Sequence, residues 1–289
     1  MQNNRKIIYG IIIGLLVLFL ILTGIIFSVQ KNNLQVVFLN IGQGDAILIS
    51  QGKNQILIDG GKDGKLLLEK LGKYIPFWDR NVEMIVATHP DQDHIGGLIE
   101  ILNSYHVDLI FKTNAESESE TYKKLEEEIA KEKSQKIEAK KGISIKLSDS
   151  VTADVLFPID SLTDTIDGAS NDNSVVVKLT YGINKFLFTG DLPNTQETKI
   201  INSGQDLNAQ VLKVSHHGSK YATENNFLGV VNPADAIISV GKNNQYGHPN
   251  QEVLNRLLQH KIKIFRTDEI GDIVYKCANA EAQCMQVAN

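Results

Sequence analysis

The stretch Thr88-His89-Pro90-Asp91-Gln92-Asp93-His94-Ile95-Gly96-Gly97 constrains this chain more than any other. Four side chains able to bind a metal, His89, Asp91, Asp93 and His94, fall within six residues. The apolar run from Val82 to Ala87 before it reads as a buried strand. Ile95, Leu98, Ile99 and Leu102 after it have helical spacing. The four side chains therefore lie where a strand turns into a helix. Such a turn can aim positions one, three, five and six of a segment at one point, which neither a regular strand nor a regular helix can do. Two imidazoles and two carboxylates suit zinc or manganese, one or two ions per chain.

A second constraint is the N-terminus. No residue from Ile7 to Val29 is charged, and most are Ile, Leu, Val or Phe. At ~1.5 Å per residue, a helix of this length spans a hydrocarbon core of ~30 Å. Arg5 and Lys6 precede the run, and Lys31 follows it. The positive-inside rule then predicts a single-pass protein of the cell membrane, with a cytoplasmic N-terminus and everything after the helix extracytoplasmic. A cleaved signal peptide is the alternative, for which Ile25-Ile26-Phe27-Ser28 is a poor cleavage site. The expected organisation is an anchor over residues 1–30 and one folded domain over residues 31–289.

Arg5 and Lys6 fall in the anchor, so the remainder keeps 27 of 29 basic residues against 34 acidic ones, a net of −7. Neither this charge nor an aromatic-plus-basic stripe marks a nucleic-acid binder, although bound cations would change the field locally. Cys277 and Cys284 can pair if the domain is extracytoplasmic; two unpaired thiols are the alternative.

Alternation predicts strands over residues 34–40, 46–50, 55–59, 108–112, 143–147 and 151–157, and a hairpin of 174–181 with 185–189. Helices are expected over 65–74 and over 117–133, the latter a charged surface helix with the stripe Tyr122, Leu125 and Ile129. The segment 161–173 reads as a polar loop. In the last third, helices over 195–202, 223–231 and 251–260 alternate with strands over 211–215, 236–240, 263–266 and 272–276. The set implies an α+β fold, an αββα four-layer sandwich with two sheets face to face and helices outside.

More chemistry appears at the ends of these strands. Phe186-Leu187-Phe188-Thr189-Gly190-Asp191 ends in a carboxylate whose two oxygens suit two cations, although the position before Pro193 also suits a helix cap. Ser215-His216-His217-Gly218-Ser219 follows another strand, and one imidazole is expected to ligate while the other touches substrate. Gly247-His248-Pro249 adds a histidine in a loop before a helix. His106 and His260 lack such context and read as surface or helix-end residues.

With these pieces placed, the chain resembles the metallo-β-lactamase superfamily, and within it the extracytoplasmic hydrolase domain of the bacterial competence DNA-uptake protein ComEC. The matching segments are Leu39 to Ala46, Ile58-Asp59-Gly60-Gly61, His89 to Gly97, Asn171-Asp172-Asn173-Ser174, Thr189-Gly190-Asp191, Ser215 to Ser219 and Gly247-His248-Pro249, spread over residues 34–266. The superfamily's first motif is His-x-His-x-Asp-His. Asp91 stands at its second His, which hardens the ligand set and favours manganese in place of zinc or beside it. No His lies between His106 and His216, where many members carry another ligand. Asn171 and Ser174 occupy that region, and with Ser219 and His248 they are expected to bind substrate.

The resemblance implies metal ligands His89, Asp91, Asp93, His94, Asp191 and the pair His216 and His217. Asp191 would bridge, Asp93 would also orient the attacking water, and His217 or His248 would act on the leaving group. It implies a membrane-anchored, metal-dependent phosphodiesterase or nuclease that cuts single-stranded DNA through a metal-activated hydroxide, with membrane uptake machinery as a partner. The alternatives are a hydrolase of a cell-envelope or small-molecule phosphodiester, of choline-phosphate or teichoic-acid type, and a non-catalytic metal-bound docking module.

Overall fold

Alternate residues of a strand face opposite sides of its sheet, so a strand apolar on both sides must be covered on both. That is the condition of most strands here. The computed structural model describes residues 2–159 and 170–287. Strands β1 (Leu34–Phe38), β2 (Ile47–Gln51), β3 (Asn54–Ile58), β4 (Asn81–Ala87), β5 (His106–Lys112) and β6 (Gln135–Glu138) lie side by side in one sheet. The second sheet contains β7 (Ser144–Lys146), β8 (Val151–Phe157), β9 (Val176–Tyr181), β10 (Asn184–Phe188), β11 (Val211–Lys213), β12 (Asp235–Ile238) and β13 (Lys263–Arg266). The chain then returns to the first sheet, where β14 (Ile273–Cys277) pairs with β1 and β15 (Met285–Val287) forms the edge.

Val36, Phe38, Phe186, Phe188 and Tyr275 pack between the sheets. Their neighbours Val37 and Leu187 point the other way, each into an outer core beneath helices. On the first sheet these helices are α2 (Gly64–Leu71), α3 (Gln92–Ile95), α4 (Leu98–Ser104) and α5 (Glu120–Lys131), following α1 (Gln2–Asn32) in the chain. On the second they are α6 (Asn194–Asn202), α7 (Asn225–Val231) and α8 (Gln251–Gln259). The four layers are those expected from the sequence. Within α5, Leu125 and Ile129 are buried as the stripe requires. In α1 the 20-residue segment Arg5–Gly24 is long and apolar enough to cross a membrane and is buried nowhere against the rest of the protein.

Four features differ from expectation or complete it. The helix after the first motif is two helices, because Gly97 N–H donates to Gly61 O (2.9 Å) rather than up its own helix. A Cβ at Gly97 would lie 2.0 Å from Gly60 O, so only glycine lets the two loops meet. Strands β6 and β15 had no sequence signal. Cys277 and Cys284 form a disulfide. Of the polar loop over 161–173, residues 161–169 lie outside the described residues, and Ser170–Asn173 forms a single 3-10 turn.

Candidate metal centre

β3, β4, β5 and β6 run parallel, as do β10, β11, β12 and β13, so their C-terminal ends gather at one edge of the sandwich. At that edge the chain must leave its ladders, and the loops carry Asp59, His89 to His94, Asp191, and the His216–His217 pair. Backbone bonds lock the loops to one another: Gly60 N–H donates to His94 O (2.6 Å), Asp45 N–H to Asp93 O (3.2 Å), and His216 N–H to Gly190 O (3.2 Å). His216 and His217 both take positive φ (49° and 53°), as does Asp59 (57°). Three non-glycine residues in the left-handed region at one site mark a constellation held against local preference.

Each central imidazole is fixed by its Nδ1. His217 Nδ1–H donates to Ser239 O (2.9 Å), and His94 Nδ1–H to Asp59 Oδ2 (2.8 Å). Thr88 Oγ1–H donates to Asp59 Oδ2 (2.7 Å), which leaves Oγ1 to accept from His89 Nδ1–H (3.0 Å). Thr88 N–H also donates to Asp59 (2.8 Å). Three acceptors therefore select the tautomer whose Nε2 carries a lone pair, the arrangement seen around metal-bound histidines.

Those Nε2 atoms converge. His94 Nε2 is 3.4 Å from Asp191 Oδ1, His217 Nε2 is 3.5 Å from Asp191 Oδ2 and 3.5 Å from Asp93 Oδ2, and His89 Nε2 is 4.0 Å from Asp191 Oδ2. Among the described residues, His89 Nε2, His94 Nε2, His217 Nε2 and Asp191 Oδ1 are buried without a hydrogen-bond partner. Each such group costs ~1–3 kcal/mol. Four at one point is a site arranged for a cation. The groups His89–His94–Asp191 and Asp93–His94–His217 each offer three ligand atoms within 4.8 Å of one another. The donor chemistry and the orphaned atoms fit a divalent metal.

Electrostatics agree. Burial pushes His89 down to about 3, so it is neutral. Burial would also lower His94, but Asp191 and Asp59 outweigh it and hold the imidazole well above its usual range. Burial would raise Asp191, and His217 and His94 hold it well below the carboxylate range instead. A cation bound at Nε2 would displace that proton and leave the lone pair as its ligand.

The other expected residues take different positions. Asp91 lies at the rim, with its side chain 41% exposed and Oδ2 3.7 Å from His89 Nε2. His216 Nε2 is 3.7 Å from Asp191 Oδ2, and its Nδ1 faces Asn171 Nδ2 (3.4 Å). His217, not His216, sends a buried Nε2 into the cluster. Ser174, expected to touch substrate, is fully buried, and its Oγ accepts Asp191 N–H (3.1 Å), so it positions that carboxylate. Ser219 is likewise buried, in the turn after the His pair. Asp191 caps no helix, since Pro193 stands at the N-cap of α6. His248 meets His216 edge-on (5.6 Å between ring centroids), and exposed Tyr246 stacks on His248 (5.8 Å, 24°). Burial and the neighbouring His216 lower His248 to about 4.

Three residues of the site had escaped notice as functional. Asp59 orients two histidines. Lys213, fully buried, pairs with Asp45, donates to Gly190 O (3.0 Å) and lies 3.8 Å from Asp191 Oδ1. Asp45 is itself 3.6 Å from His217 Nδ1. The signals were present: Gly44-Asp45 repeats the pattern of Gly190-Asp191, Asp59 directly follows an apolar strand, and a lysine in the apolar run Val211-Leu212-Lys213-Val214 requires a buried partner.

A family model described as the metallo-beta-lactamase superfamily matches residues 39–242. ComE operon protein 3 of Bacillus subtilis (strain 168) is 34% identical over 265 residues, 85% of this chain and 33% of that protein. Competence protein ComA of Neisseria gonorrhoeae is 28% identical over 249 residues, 86% of this chain and 33% of that protein. The chain thus spans about a third of the length of these curated relatives. The solved structure of the metallo-beta-lactamase fold protein YhfI from Bacillus subtilis covers 86% of this chain and 100% of its own, with TM-score 0.56 and 13% identity.

Proposed function

The chain belongs to the metallo-beta-lactamase superfamily, and from that premise we propose that it is a membrane-anchored, metal-dependent phosphodiesterase acting on single-stranded DNA outside the cytoplasm. The observation that carries the reading is the convergence of three tautomer-fixed Nε2 atoms on Asp191. His89, His94, His217, Asp93 and Asp191 would hold one or two divalent ions, zinc or manganese, with Asp91 and His216 in reach at the rim. A cation bound there lowers the pKa of a water toward ~7 and offsets charge that develops on the substrate.

The protein's own groups do the rest. Asp93 is part-exposed and faces the cluster beside His217 Nε2; its carboxylate accepts a hydrogen bond from the attacking water and orients it toward phosphorus. Lys213 holds Asp45 and Gly190 from beneath and so keeps Asp191 in place. His248, neutral at pH 7, donates one N–H to a phosphate oxygen or to the leaving group.

Two observations favour DNA over a small envelope phosphodiester. The sequence resembles competence-type hydrolase domains, and one relative bears the name competence protein. Tyr246 on His248 on His216 makes a line of rings from the cluster to solvent, the kind of platform on which bases stack at ~1–3 kcal/mol each. Turnover of an oligothymidylate and of bis(4-nitrophenyl) phosphate by Tyr246→Ala tests the choice. The reading predicts about a tenfold larger loss of kcat/KM on the oligonucleotide than on the small ester. Equal losses would point to a small envelope substrate.

A further inference from the structure

Among the described residues, the most exposed aromatic side chains lie at the opposite edge of the sheet from the metal cluster. Phe77 is 79% exposed and Trp78 is 73% exposed, and their rings meet edge to face at 4.9 Å. They are not on a loose tip. Pro76 O accepts Asp79 N–H (2.9 Å), which closes a turn with Phe77 and Trp78 at its two central positions. Before the turn, Ile75 is buried and its N–H donates to Leu71 O (2.8 Å). After it, Asp79 accepts from Asn81 N–H (3.2 Å) and Gln55 Nε2 (3.3 Å). A closed turn rooted at both ends thus presents two large apolar rings to solvent, where each costs free energy unless something covers it.

Strand register shows what lies beside it. The helix α1 ends at Asn32, and β1 begins at Leu34. Leu34 pairs with Gln51 at the end of β2, and Gln51 pairs with Asn54 at the start of β3. β3 runs parallel to β4, with Ile56 opposite Met84, so β4 also starts at this edge. Trp78 lies three residues before that start. Crossing three strand spacings of ~4.8 Å places the turn roughly 15 Å from the point where α1 joins the sheet. Leu34 is in turn five residues beyond Val29, the last of the uncharged run, a reach of at most ~18 Å. The metal cluster occupies the opposite edge, at the strands' C-terminal ends.

We propose that the Phe77–Trp78 turn is a second membrane contact, inserted among the headgroups of the bilayer that α1 spans. This rests on the reading of α1 as a membrane anchor. The Trp78 indole favours that depth because its apolar body and its N–H both find partners there, and the Phe77 ring beside it adds apolar area. One flexible attachment leaves a domain free to tumble; a helix and a rooted turn some 15 Å apart on one edge fix its tilt. The metal cluster is then held on the side away from the lipid, open to a polymer arriving from solution.

Trp78 is the sole tryptophan in the chain, so its fluorescence reports on this turn alone. The test uses the full chain reconstituted in phosphatidylglycerol–phosphatidylcholine vesicles, with and without lipids brominated near the top of the acyl chain. The expected result is co-flotation with the vesicles, emission shifted to shorter wavelength than a free tryptophan amide, and at least twofold quenching by the brominated lipid. Phe77→Ser should weaken that quenching while flotation persists. Flotation with water-like, unquenched emission overturns the contact and leaves the anchor standing. Blue-shifted emission that bromine does not quench means that protein covers the turn, which also overturns it. Failure to float removes the anchor and the contact together.

Discussion

Asp59 touches no substrate in this account, yet changing it to Asn should disable the centre. Its carboxylate accepts three hydrogen bonds, from Thr88 N–H (2.8 Å), Thr88 Oγ1–H (2.7 Å) and His94 Nδ1–H (2.8 Å). An Asn of the same shape keeps one acceptor oxygen, which the backbone N–H of Thr88 can retain. Its NH2 must then face Oδ2's two donors, His94 Nδ1–H and Thr88 Oγ1–H. The cheapest escape is a change of tautomer, so that His94 Nδ1 accepts and Nε2 becomes protonated. That removes one lone pair from the cluster. Thr88 Oγ1 would also turn its proton toward His89 Nδ1, with the same consequence there. Loss of one such outer partner lowers metal affinity by about 10–100-fold, or ~1.4–2.7 kcal/mol. With two histidines affected, the upper end is expected. The assay is competition of the full chain in detergent with a chromophoric chelator for zinc and for manganese, with circular dichroism as the check on folding. A folded Asp59→Asn protein with wild-type affinity for both metals would refute the argument that Asp59 sets the tautomers.

Two further expectations concern stability. A methyl group at Gly97 would lie 2.0 Å from Gly60 O, on loops already drawn together by the Gly60–His94 bond, so Gly97→Ala should cost about 1–3 kcal/mol in urea unfolding and lower metal occupancy with it. Burial pushes Glu197 up to about 7 from an unfolded value of 4.5, although it accepts N–H groups of Thr223 and Glu224. Between those values the folded state binds more protons than the unfolded state. The contribution of Glu197 to stability is therefore fully present below about pH 4.5 and declines as pH rises to 7, by on the order of 3 kcal/mol. Urea midpoints of metal-free protein at pH 5 and pH 8 should fall further in the wild type than in Glu197→Gln, the difference between the two profiles isolating this carboxyl from the histidines of the site.

The strands that carry the core were readable because Val36, Phe38, Phe186 and Phe188 alternate with Val37 and Leu187, and the two sheets use both sets. The first motif was readable because four donors in six residues have few other uses. What escaped notice had its partners in distant sequence. β6 is the polar segment Gln-Lys-Ile-Glu, and its strand state comes from pairing with β5. Lys213 becomes meaningful only when Asp45, far away in the chain, is found against it. The burial of Ser174 beneath Asp191 N–H likewise depends on a residue far along the chain. The choice between His216 and His217 needed their left-handed backbone, which turns one ring inward and the other toward the rim.

The central claim is that this cluster performs metal-dependent phosphodiester hydrolysis with Asp93 directing the attacking water. The most direct measurement is cleavage of 5′-labelled single-stranded DNA by the full chain, after chelation and after return of zinc or manganese, beside a folded Asp93→Asn variant. Chelator should abolish cleavage, added metal should restore it, and Asp93→Asn should lower it by at least 100-fold, the ~10²-fold scale of a misplaced reacting group. Full cleavage by Asp93→Asn, or cleavage indifferent to chelator, would contradict that claim.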